Sequence, residues 1–166
     1  MVMLVRSPSK SLRCCIVKTD DNLSKRSRAK VKPVDLNITV SIVEDDAPLR
    51  GILGDWIRGA EGFQCVGVHE NAEVALAALP QEKPSVVLMD INMPGMNGIE
   101  AARALIRRDP ELPVVMLSIH EEERYRREAA DSGVRAYIPK RRLQEQLLPA
   151  LRDVLDGAAR GAEERR

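Results

Sequence analysis

At 166 residues the chain has room for one domain plus extensions. Lys and Arg total 26 against 25 Asp and Glu, so a net charge of +1 gives no footing for a nucleic-acid or membrane partner, and with aromatics at 2% the core must come from Val, Ile, Leu, Met and Ala. No apolar run reaches the roughly 18 residues of a membrane span, the first residues lack the long apolar stretch and small-residue cleavage site of a secretory signal, and Cys14, Cys15 and Cys65 have neither a disulfide framework nor metal-ligand spacing, so a reduced, cytoplasmic setting is expected.

Residues 1–36 carry nine Lys and Arg against Asp20, Asp21 and Asp35 without a sustained period, and read as a basic, disordered N-terminal extension. From Asn37 the pattern is regular. Residues 38–43 predict a first strand ending in Glu44-Asp45-Asp46, with Asp46 as N-cap and Pro48 in the first turn of the helix that follows. Leu49, Ile52, Leu53, Trp56 and Ile57 mark that helix's apolar face, and Gly59 and Gly62 bracket its end. Trp56 and Phe63 are expected in the core, and His69 as an ordinary residue at the end of a second strand over 63–68. A short helix over 72–79 is followed by a loop between Pro80 and Pro84.

Residues 86–89 are a continuous apolar run that ends at Asp90, as in a strand buried on both faces. Pro94-Gly95 and Asn97-Gly98 predict a tight loop before a helix over 99–108. A fourth strand over 114–117 ends at Ser118, and a polar helix over 121–131 carries its acids first and its arginines later, as the helix dipole prefers. A short strand over 136–138 runs into Pro139-Lys140. A last helix over 144–156 follows, its start limited by Pro149 and its end set by Gly157, and residues 157–166 read as a frayed tail.

Five strand–helix units in strict alternation predict an α/β fold, a doubly wound parallel sheet with right-handed crossovers. In such a sheet the C-terminal strand ends share one edge, which gathers Glu44, Asp45, Asp90, Ser118 and Lys140. An acid at a strand tip can be a nucleophile, a metal ligand or a helix cap. Three carboxylates in one crevice repel each other and call for a cation, and all-oxygen donors suit Mg²⁺. A carboxylate so held can attack a phosphoryl group and carry it covalently.

On these residues the stretch 37–156 resembles a receiver domain of a bacterial two-component response regulator. The stretches Leu117-Ser-Ile-His120 and Tyr137-Ile-Pro-Lys140 are most similar to the LuxR/NarL-type subfamily, which usually carries a C-terminal helix-turn-helix. The resemblance implies a flavodoxin-like sheet of order 2-1-3-4-5 with five helices. It implies Asp90 as phosphoacceptor, and Glu44 and Asp45 as the acid pair, with Asp45 a direct Mg²⁺ ligand beside Asp90 and the Asn92 backbone carbonyl. It further implies Ser118 as switch hydroxyl, Lys140 as partner of the phosphoryl group, and Tyr137 as an aromatic that changes rotamer with Ser118. The implied donor is a sensor histidine kinase; from the coupling of Asp90 phosphorylation through Ser118 and Tyr137 to the helix over 121–131, a phosphorylation-dependent homodimer or partner complex is the expected output. Ile119 departs from the small residue many receivers place after the switch hydroxyl, and His120 stands beside the site.

Ten residues follow Asp156, so the chain reads as a stand-alone receiver or as the receiver portion of a longer DNA-binding regulator, itself without sequence-specific DNA binding. An aspartyl-nucleophile phosphohydrolase is the enzyme alternative. It would need a second acid two residues after the nucleophile, where this chain has Asn92, so a switch rather than an enzyme is expected. A binding-only relative would have lost acids, hydroxyl or lysine, and none is lost.

Overall fold

The structure is a computed structural model that describes residues 37–163; the expected leader of residues 1–36 lies outside the described residues, as do residues 164–166. Strand and helix alternate in chain order: β1 (Ile38–Val43), α1 (Ala47–Gly59), β2 (Phe63–His69), α2 (Ala72–Glu82), β3 (Val86–Asp90), α3 (Gly98–Arg108), β4 (Val114–Ser118), α4 (Glu123–Asp131), β5 (Ala136–Pro139) and α5 (Leu143–Glu163), with a 3₁₀ turn over Lys140–Arg142. All strand pairs are parallel and the order is β2-β1-β3-β4-β5, the flavodoxin-like arrangement expected. No described helix is long and apolar enough to cross a membrane.

The alternation of side chains along β3 divides the core into two layers. Val87 and Met89 face Ala75, Leu79, Ala102 and Leu105 of α2 and α3, while Val86 and Leu88 face Leu53 and Ile57 of α1 and Leu147 and Leu151 of α5. Every β3 residue is buried, which is why its sequence reads as an unbroken apolar run rather than an alternating one. A fully buried Leu, Ile or Met side chain stabilises the fold by about 1.5–3 kcal/mol, so this central strand anchors both layers. Three helix starts are fixed by side chains. The Leu49 amide donates to Asp46, the Val74 amide to Asn71, and the Glu100 amide to Asn97, at 2.7, 2.9 and 2.9 Å.

The structure corrects several local expectations. Trp56 and Ile52 are exposed, 37% and 45%, whereas Leu53, Gly54 and Ile57 are buried. At 100° per residue, positions 53 and 57 face the sheet and 52 and 56 fall on its flank, so the apolar stripe is wider than the buried one. Helix α2 continues through Pro80 to Glu82, and α5, which starts at Leu143 close to the expected position, runs past Gly157 to Glu163. Pro80 and Pro149 are both exposed, so the missing amide costs a helix bond without leaving a polar group buried. Gly157 ends nothing because it does not take a left-handed conformation; that conformation ends α2 instead, at Lys83 with φ 48°.

His69 is buried, not an ordinary strand end, and its Nε2 lies 3.1 Å from Glu82 Oε2. Ser41, fully buried on β1, donates to the same oxygen at 2.7 Å. Glu82 reaches this position over Gly67, beside the register shift between β1 and β2, and a Cβ at Gly67 would stand 2.1 Å from its carboxylate. Gly67→Ala should therefore expel the Glu82 carboxylate and lower stability by about 1–3 kcal/mol through the two lost bonds. In a Glu82→Ala background the same change should cost far less, and an unfolding double-mutant cycle with additive effects would contradict this.

Candidate functional site

Sheet register assembles the site. Val43 pairs with Met89, so the next residues, Glu44 and Asp90, come to the same edge; Asp90 pairs with Leu117, one before Ser118; and Ser118 pairs with Pro139, one before Lys140. Asp90 is 1% exposed and Glu44 and Ser118 fully buried, while Asp45 is half-buried. The ligand oxygens of Glu44, Asp45 and Asp90 lie within 4.8 Å of one another. Lys140 Nζ bridges two of these acids, 2.9 Å from Glu44 Oε1 and 2.9 Å from Asp90 Oδ2. The other oxygen of each, Glu44 Oε2 and Asp90 Oδ1, is buried without a hydrogen-bond partner. Buried, unpartnered carboxylate oxygens are costly unless something cationic meets them. A donor set of carboxylate oxygens fits a hard divalent cation.

Burial pushes the Glu44 carboxyl up to about 7; the Lys140 hydrogen bond opposes the rise and the Asp90 charge adds to it. Burial works to lower the Lys140 ammonium, but its bonds to Glu44 and Asp90 outweigh that and hold it above its ordinary value. The lysine is therefore a fixed positive charge at neutral pH.

Arg50, not singled out from the sequence, donates through Nη1 to the Glu44 and Asp45 carbonyls at 2.7 and 2.9 Å. His120 proves more connected than its neighbourhood suggested. Its amide donates to Ser118 Oγ at 2.9 Å, its carbonyl accepts from the Tyr137 hydroxyl at 2.6 Å, and its Nε2 lies 3.1 Å from the Asn92 side-chain amide. Its ring stacks on Tyr125 with centroids 4.2 Å apart. The only sequence signal for this was position, two residues after a strand-end hydroxyl. Asn92 is exposed, and Ile119 is 66% exposed next to Ser118. Asp46 is the α1 cap, as expected.

Comparison with known proteins gives one answer. The family model for the response regulator receiver domain matches residues 40–152. Response regulator GacA of Pseudomonas aeruginosa is 34% identical over 120 residues, covering 72% of this chain and 56% of that protein. The chain spans about half the length of the curated relatives it matches. Among solved structures, the response regulator domain of Thermotoga maritima CheB is similar at 29% identity and a TM-score of 0.67, over 72% of this chain and 97% of the other. A LuxR-family two-component response regulator from Aurantimonas sp. SI85-9A1 is similar at 25% identity and a TM-score of 0.70, over 78% of this chain and 98% of the other. With the acids, hydroxyl and lysine on one sheet edge, and the family model spanning more than half of its length, the chain belongs to the response regulator receiver domain family, the phosphorylation-activated switches of two-component signalling.

Proposed function

We propose that Asp90 accepts a phosphoryl group from the phosphohistidine of a sensor histidine kinase, in a Mg²⁺-dependent reaction in the cytoplasm. One observation carries this reading. Asp90 is a buried carboxylate at the tip of the central strand, with one oxygen on Lys140, the other unpartnered, and two further acids beside it.

An Asp90 oxygen attacks phosphorus, the phosphorus–nitrogen bond to the donor histidine breaks, and an aspartyl phosphate forms. Glu44, Asp45, Asp90 and the Asn92 carbonyl are the groups that would hold Mg²⁺, which when bound neutralises charge on the transferred oxygens. Lys140 already contacts Asp90 and stays to pair with the phosphoryl group. Ser118 accepts from the His120 amide, and among the described residues its hydroxyl proton goes to no partner, so it is available to a phosphoryl oxygen. Asn92 has no proton to give as an acid, so the acyl phosphate should persist rather than turn over as in a phosphohydrolase. Labelling with a small acyl phosphate, with and without Mg²⁺, tests the reading; absence of label with Mg²⁺ present overturns it.

Ser118 and Tyr137 both bind the peptide units around His120, which makes the loop before α4 the coupling element. Helix α4 is lightly held, with Ala129 as its buried residue and no side-chain N-cap. Drawing Ser118 towards phosphate shifts this loop and re-presents the face of α4, β5 and α5, favouring a homodimer or a partner complex by differential affinity. Ser118→Ala should still take label at Asp90 but lose most of the phosphorylation-dependent association, read by light scattering. A variant that associates as fully as the parent would refute this coupling.

A second reading, the receiver portion of a DNA-binding transcriptional regulator, is favoured by the share of its relatives that the chain spans. In it the helix-turn-helix lies outside this chain, and these residues bind no DNA sequence specifically.

A further inference from the structure

Helix α1 opens with Ala47, Pro48, Leu49 and Arg50, and no acid stands in its first turn. A cation there is at the unfavourable end of the helix dipole, so its position calls for a compensating interaction. That interaction is on the backbone of the acid pair. One nitrogen, Arg50 Nη1, donates to the Glu44 carbonyl at 2.7 Å and to the Asp45 carbonyl at 2.9 Å. The side chain is half-buried and reaches back past the Asp46 cap to do so.

The three acids are not held alike. Lys140 fixes the carboxylates of Glu44 and Asp90 directly. Asp45 has no ion-pair partner of its own among the described residues, and is held through the backbone that Arg50 grips. Carboxylate oxygens within 4.8 Å of each other would separate if the loop carrying two of them were free to turn.

We propose that Arg50 is a positioning residue for the cation site: by tying down both loop carbonyls through one nitrogen, it keeps the Glu44 and Asp45 carboxylates beside Asp90 against their mutual repulsion. Groups that orient metal ligands without touching the metal typically change affinity about 10–100-fold when removed. Because a single nitrogen makes both bonds, the guanidinium fork is not needed. A lysine ammonium, with three donors on one atom at the end of a flexible stem one bond shorter, offers the same single-atom donation.

The inference rests on the cation site proposed above, so the parent chain and Asp45→Asn are titrated beside the Arg50 variants. MgCl2 is titrated calorimetrically into the full chain at pH 8. Arg50→Met should bind about tenfold more weakly than the parent, whereas Arg50→Lys should stay within about threefold of it. Should Arg50→Met lose the native far-ultraviolet dichroism, Arg50→Gln takes its place with the same expectation. Equal affinity of the neutral variant and the parent overturns the role of Arg50, as does a lysine variant as weak as the neutral one. A parent that binds no Mg²⁺, or an Asp45→Asn that binds as well as the parent, overturns the cation site itself and this inference with it.

Discussion

Asp90→Asn should abolish phosphoryl labelling entirely. The substitution is nearly isosteric and keeps an acceptor oxygen near Lys140, whose second bond, to Glu44, is untouched. What it removes is the anionic oxygen that attacks phosphorus, and an amide oxygen is no substitute. Neighbouring acids should not take over. Glu44 is pushed up to about 7, so it is partly protonated at neutral pH, and Asp45 lies on the loop off the strand end. The parent should label only with a divalent cation, and chelation should stop it. Mg²⁺-dependent label that survives in Asp90→Asn, located by peptide mass, would move the phosphoacceptor elsewhere. An unchanged unfolding transition shows that lost labelling is chemical and not a failure to fold.

Much of this site is legible in the sequence because its physics is one-dimensional. A strand buried on both faces has no alternation, so residues 86–89 announce a central parallel strand and Asp90 its end. Once strands and helices alternate, topology alone places Glu44, Ser118 and Lys140 on the edge where Asp90 sits, and the register bears this out. The cap at Asp46 is local in the same sense.

The rest depends on distances between elements that no local pattern encodes. Arg50 reads as a surface arginine until its nitrogen is found on two carbonyls. His69, Glu82 and Ser41 are distant in sequence and meet only because Gly67 leaves room over a strand irregularity. Trp56 obeys the helical period and still faces solvent, since periodicity marks a stripe but not its edge. The helices that run through Pro80 and Pro149 show that tertiary packing outweighs one lost bond when the ring faces water.

Asp45→Asn should make the cation-free protein more stable while removing most of its response to Mg²⁺. Two unit charges no more than 4.8 Å apart at an effective dielectric near 20 repel by about 3.5 kcal/mol or more. Asp45 is half-exposed and solvent screens it, so about 1 kcal/mol is expected, a rise of about 3–6 °C in Tm. The gain should depend on pH in a defined direction. The folded-state value of Glu44 is raised from 4.5 to about 7, so its contribution to stability is fully present below about 4.5 and is lost as pH rises through about 7. Above that value Glu44 is charged and Asp45 has a stronger opponent, so the variant's advantage should be larger at pH 8 than at pH 5. Metal reverses the order. At pH 8 the parent should gain about 2.7 kcal/mol in Mg²⁺ at 100 times its Kd, because the cation binds only the folded state. At pH 5 the cation must displace the Glu44 proton and the parent should gain less. Thermal melts of both proteins at the two pH values, with and without Mg²⁺, decide the matter. A variant less stable than the parent without cation at pH 8 would mean that the acids are not in mutual repulsion. A variant stabilised by Mg²⁺ as strongly as the parent would mean that Asp45 is not a ligand.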